Sequence, residues 1–98
     1  MTTPEERRRN LAWGRDALQE VSLDLALPTD WRDAADAALA GYPSEEFVRT
    51  FDAADPEALD VYRDVLLKAR ILFYRVHASS GCAVERRYML AVVLRHFP

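Results

Sequence analysis

Two amphipathic stretches of this chain end in the same way, in an aromatic residue followed by proline. The first is LPTDWRDAADAALAGYP, residues 27–43, and the second is AVERRYMLAVVLRHFP, residues 83–98. Setting Pro43 on Pro98, an offset of 55 residues, also pairs Leu39 with Leu94, Arg32 with Arg87 and Val21 with Val76. Arg15 falls on Arg70 and Leu11 on Leu66 at the same offset. A constant offset across both apolar and charged positions predicts two helix pairs packed in related ways, an internal pseudo-repeat of residues 9–43 and 64–98.

The helical reading comes from spacing. Leu11, Leu18, Val21 and Leu25 recur at intervals of seven, three and four, one stripe of a helix running from the start of the chain to about Asp24. Thr3-Pro4-Glu5-Glu6 supplies a capping residue, a proline suited to the first helical position and a glutamate three after the cap. Pro28 and Thr29 open a second helix carrying Trp31, Ala34, Ala35, Ala38 and Leu39 on one face, with Gly41 at its end. The alanines there imply close approach to a neighbouring helix. Ser44 caps a short third helix holding Phe47, Val48 and Phe51.

Asp55-Pro56-Glu57 is expected to begin the longest helix. Leu59, Tyr62, Leu66, Ala69, Phe73 and Val76 form its stripe, and residues 77–81 end it. The last segment is apolar nearly all round from Tyr88 to Leu94, and its pairing with residues 27–43 assigns it to a buried helix. No segment alternates with period two. The fold class is therefore all-α: a single domain over residues 1–98, a compact bundle of about five helices in which two related pairs are joined by a short helix.

At 50% apolar residues the chain can bury a core and does not read as disordered. No apolar run is long enough for a membrane, and the opening MTTPEERRRN lacks the apolar stretch of a signal peptide. A single cysteine, Cys82, makes no internal disulfide, so the expected location is the cytoplasm. The net charge of −3 is unevenly spread. Residues 16–64 hold thirteen acids against three arginines, whereas residues 65–98 hold one acid, Glu85, against six bases. Such polarity steers partners.

No catalytic constellation is present, so the chain is read as a non-enzyme with no cofactor and no metal. His77, His96 and Cys82 fall short of a zinc set, and no third group orients a nucleophile–base pair. Two other surfaces attract attention. Trp13 lies about 120° from the centre of the first helix's apolar stripe, with Arg9, Asp16 and Glu20 on its side. An off-stripe tryptophan ringed by charge has the form of a binding anchor, for a partner or for a homodimer. Glu57, Asp60 and Asp64, at spacings of three and four, form an acidic stripe suited to a basic partner. The alternative is a nucleic-acid-binding regulator using Arg7, Arg8, Arg9, Arg86 and Arg87. Asp30, Asp33 and Asp36 on the second helix argue against it, because a groove-reading helix needs a neutral or basic surface.

The opening, with Met1, Thr2, Pro4, Glu6 and Arg7, and the helix motif Leu27, Pro28, Arg32, Ala35, Leu39, Tyr42 and Pro43 resemble a family of short bacterial and prophage helical proteins. Those open Met-Thr-x-Pro-x-Glu-Arg and close a helix with Leu-Leu-Arg-His-Tyr-Pro. Residues 94–98, Leu-Arg-His-Phe-Pro, resemble that ending more literally than the first copy does, which has Ala40-Gly41 in place of Arg-His. The resemblance implies a small helical protein of phage or mobile-element origin and transfers no site residues. Taken together, the expected function is a small protein-interaction module, in its sharpest form a phage-encoded inhibitor of a host regulator or anti-phage defence complex.

Overall fold

The computed structural model describes residues 2–79 and 83–98, and Cys82 lies outside them. Its elements are α1 (Pro4–Leu23), α2 (Thr29–Gly41), α3 (Glu45–Thr50), α4 (Arg63–Ala78) and α5 (Val84–Arg95), with a single 3₁₀ turn at Asp60–Tyr62. Among the described residues the fold is an all-α bundle of five helices.

Local chemistry sets most of the boundaries. The Thr3 hydroxyl accepts from the Glu6 amide at 3.1 Å while the Glu6 carboxylate accepts from the Thr3 amide at 3.0 Å, so two donors left free by the helix start are satisfied reciprocally. The bond from the Thr3 amide and, after it, one with the Thr3 side chain hold the Glu6 carboxyl below its ordinary pKa. After α1 the Asp24 carboxylate takes the Ala26 amide at 2.9 Å, turning the chain toward Pro28. Leu25, counted from the sequence as part of the α1 stripe, falls in this turn and is 82% exposed. Ser44 caps α3 through the Phe47 amide at 3.1 Å.

One expected helix start moves. α4 begins at Arg63 rather than at residue 56, which leaves α1, with 20 residues, the longest helix and α4 with 16. Between α3 and α4 the chain makes successive tight turns. Asp52 and Asp55 accept the amides of Ala54 and Glu57 at 3.0 and 2.9 Å. Backbone bonds run from Ala58 to Asp55, Asp60 to Glu57 and Tyr62 to Leu59. The aspartates offer the backbone a local alternative to the helix ladder, and Pro56 disfavours helical geometry at the residue before it. Leu59 is buried all the same, which is why the apolar spacing continued through a segment that is not helical.

The four longer helices form a ring of neighbours, α1 against α2 and α5, and α4 against α2 and α5. Four pairs of residues 55 apart are buried in it: Leu11 and Leu66, Val21 and Val76, Ala35 and Leu90, and Ala38 and Val93. Arg15 donates to the Pro43 carbonyl at 3.3 Å, and Arg70 donates to the Phe97 and Pro98 carbonyls at 2.8 and 2.9 Å. The two aromatic–proline endings meet over Gly14. A Cβ placed there would stand 2.5 Å from Phe97 Cε1 and 2.6 Å from the Tyr42 hydroxyl oxygen, so only glycine allows both rings to approach α1. The Tyr42 hydroxyl donates to the Leu11 carbonyl, and burial raises its pKa. Phe97 in turn meets Phe73 edge-on, with centroids 5.4 Å apart.

Candidate functional site

Arginines that read as a nucleic-acid patch hold the bundle together. The last carbonyls of a helix have no partner inside it, and cationic side chains suit that end. Arg8 reaches across from α1 to the end of α3, donating to the Val48 carbonyl and, at 2.6 Å, to the Phe51 carbonyl. Arg7 donates to the Ala53 and Asp55 carbonyls at 3.0 and 2.7 Å. Both guanidinium groups lie by the Phe51 ring, that of Arg7 5.9 Å and that of Arg8 4.8 Å from its centroid. Arg86 pairs with Asp24, a bond that leads the causes holding the Asp24 carboxyl below its usual range. Arg87 donates to the Ser79 carbonyl at 2.9 Å. Three bases in the first turns of α1 oppose its macrodipole; for Arg7 and Arg8 the return is the anchoring of α3 and of the turns after it.

Trp13 is half-buried and packs against the core cluster. The Arg9 guanidinium stands over its ring at 4.8 Å from the centroid, and Arg9 Nε donates to the Asn10 side-chain oxygen at 3.2 Å. Asp16 and Glu20 are exposed on the same helix. The expected acidic stripe does not form on one helix face: Glu57 lies in the turns, Asp60 in the 3₁₀ segment and Asp64 in α4. Asp60 is drawn to Arg63 at 3.2 Å in an exposed pair of little energetic weight. Asp64 and Lys68 make no ion pair. His96, at the end of α5, meets the Glu6 carboxylate at 2.8 Å and the Thr2 hydroxyl at 3.2 Å. Among the described residues no three His, Cys, Asp or Glu side chains could together hold a metal, and no helix is long and apolar enough to cross a membrane.

Sequence reasoning passed over one polar residue and one surface. Asn10 is fully buried, and its amide donates to the Val92 and Val93 carbonyls at 3.0 and 2.9 Å, closing the end of α5. The surface lies between α2 and α4. Of the alanines expected to pack closely, Ala35 and Ala38 are buried; Ala34 is exposed and, with Ala37, Ala38 and Gly41, lines an open groove of about 520 Å³. Its other wall is Val65, Ile71 and Leu72, and Asp30, Asp64, Lys68 and Arg75 edge it. Beside the groove, α4 carries a second apolar stripe turned away from the core. Leu67, Ile71 and Tyr74, at spacings of four and three, are 54%, 45% and 56% exposed. That spacing is in the sequence, but the stronger stripe of Leu66, Ala69, Phe73 and Val76, one step round the helix, accounted for α4 without it. A roomier depression near the end of α1, about 610 Å³, is bordered by Glu20, Asp24, Glu85 and Arg86 and already contains the Asp24–Arg86 pair.

No known family, curated protein or solved structure matches this chain.

Proposed function

We propose that the protein is a small non-enzymatic protein-interaction module whose working face is formed by α2 and α4, and that it serves as a phage- or prophage-encoded inhibitor of a host regulator or defence complex. The observation that carries this reading is the second apolar stripe of α4 beside the open groove. Exposed apolar side chains scattered singly are ordinary. Three in register along one helix, of which Ile71 also lines a concave strip of small residues, form a face of the kind that marks binding sites. Large side chains seated in such a groove carry most of an interface's energy, and the charged edge excludes water around them. The edge carries Asp30 and Asp64 beside Lys68 and Arg75, so this face offers a partner charge of both signs. The arginines of the nucleic-acid alternative are engaged within the fold, and nothing in their geometry favours that reading.

Affinity capture from a bacterial lysate tests the proposal with three baits: the wild type, Ile71→Asp and Ala37→Trp. Both variants sit on exposed positions and are expected to melt as the wild type does. A protein retained by the wild type and lost by both variants supports the proposed face. A protein retained equally by all three places the binding surface elsewhere.

A further inference from the structure

We infer that the α2–α4 face is self-complementary and pairs with the same face of a second copy of this chain, α2 of each copy lying on α4 of the other. The inference rests on the interaction reading above and names one occupant of that face.

The argument begins with the direction of the helices. The groove runs along residues 30–41 on one wall and 64–75 on the other. Gly41, at the end of α2, lies against Val65, near the start of α4, so the two helices run in opposite directions. A two-fold axis lying between two such faces, parallel to the helices, places each α2 opposite the α4 of the other copy, again in opposite directions. Contacts of this isologous kind occur twice and close on themselves.

Shape and charge both match this arrangement. α2 presents small side chains to the groove, Ala34, Ala37 and Gly41, whereas α4 presents the larger Val65 and Ile71. Stacking α2 on α2 would oppose small to small, and α4 on α4 large to large; only the crossed arrangement sets large against small on both sides. The exposed charges of α2 are Asp30, Asp33 and Asp36, all acids. Its Arg32 is half-buried and bonds to Thr29 within the helix at 3.1 Å. On α4, Lys68 and Arg75 are exposed and border the groove without an ion pair or hydrogen bond among the described residues, and outnumber the one acid there, Asp64. Within one copy the groove keeps Asp30 and Arg75 from pairing. Across the two-fold, Asp30 and Asp33 of one copy face the bases of the other.

Sedimentation of the full chain over a range of concentrations, with two charge-reversed variants, tests the pairing. The wild type is expected to form a dimer that dissociates on dilution. Lys68→Glu with Arg75→Glu makes α4 acidic, and Asp30→Lys with Asp33→Lys makes α2 basic. Each double variant alone opposes like charges at both contacts, so its dissociation constant should rise about tenfold or more. Mixed one to one they restore both contacts at once and should form a mixed dimer with an affinity near that of the wild type. Misfolded variants could not complement each other in this way. Ile71→Ala should weaken the dimer at an unchanged melting temperature of the monomer. A wild type that remains monomeric at about 1 mM overturns the inference, as does a mixture that stays monomeric or a pair of reversed variants that dimerise normally. If the wild type is monomeric while a lysate protein is still lost on Ile71→Asp, self-pairing fails and the interaction reading stands.

Discussion

Replacing Asn10 with alanine removes a fully buried side chain that closes the end of α5 from within the core. Its amide donates to Val92 and Val93 at 3.0 and 2.9 Å, two of the last carbonyls of a helix that ends at Arg95. Without it, both carbonyls lose a partner in a place where no solvent reaches the Asn10 side chain, which is 0% exposed. A buried group left unpaired costs about 1–3 kcal/mol. One of the two bonds is only part-buried, and a small void is left, so the sum comes to about 2–4 kcal/mol. Against the roughly 5–15 kcal/mol that holds a domain of this size folded, that is a large share. It corresponds to a melting temperature lower by about 10–25 °C. Urea unfolding followed by circular dichroism reads the loss as a lower midpoint at an unchanged slope. Asn10→Asp sharpens the assignment, because an ionised carboxylate donates nothing and would be buried against two carbonyl oxygens. Its cost should exceed that of alanine at neutral pH and shrink on acidification, as protonation returns a donor. A loss below about 0.5 kcal/mol for Asn10→Ala would refute the reasoning, since it would mean that the amide bonds offset nothing that water cannot.

Phe73→Ala, at a fully buried position edge-on to Phe97, should cost about 3–5 kcal/mol in the same assay, and under about 1 kcal/mol would show that the core closes without it. Gly14→Ala should destabilise although alanine is the better helix former by about 1 kcal/mol, because the new methyl meets the Phe97 and Tyr42 rings, at an overpacking cost of about 1–3 kcal/mol; Phe97→Leu in that background should recover part of the loss. The Asp24 carboxyl lies below its ordinary pKa in the folded state, chiefly through Arg86 and then through the Ala26 amide. A carboxyl shifted in that direction stabilises the fold above its unfolded pKa of about 4, and the contribution is lost as pH falls through the folded value. Asp24→Asn should therefore flatten the acid limb of a stability–pH curve and lower its alkaline limb without changing that limb's slope.

What the sequence makes legible are features whose causes are local. The α1 capping box and the Ser44 cap each depend on residues within a turn of one another, and both are present, whereas Gly41 is only the last helical residue of α2 and Tyr42, in extended geometry, is its cap. The start of α4 was misplaced because apolar spacing reports burial and not hydrogen bonding: Leu59 is buried from a turn as well as it would be from a helix. The arginines were misread for a different reason. Arg8 and Arg70 bond to carbonyls 40 or 43 and 27 or 28 residues away, and a backbone acceptor leaves no mark on the residue that carries it. Asn10 is hidden in the same manner, its acceptors being more than 80 positions along the chain. The groove was hidden because alanine admits two opposite arrangements, burial at Ala35 and Ala38 and an open surface at Ala34 and Ala37, and the choice belongs to α4.

The bond between Thr2 and His96 has a consequence for connectivity. It brings residues 2 and 96 side by side, so a linker of a few residues could join the two ends into a closed ring of sequence. Opening that ring within the exposed turn at residues 54–57 would yield a rearranged chain in which α4 and α5 precede α1, α2 and α3. Every helix contact survives the rearrangement, but the order of synthesis is reversed: the Arg70 half would emerge first and wait for Gly14, instead of Gly14 waiting for Phe97. Comparing how fast the two orders fold would separate the bundle's geometry from the path by which the chain reaches it.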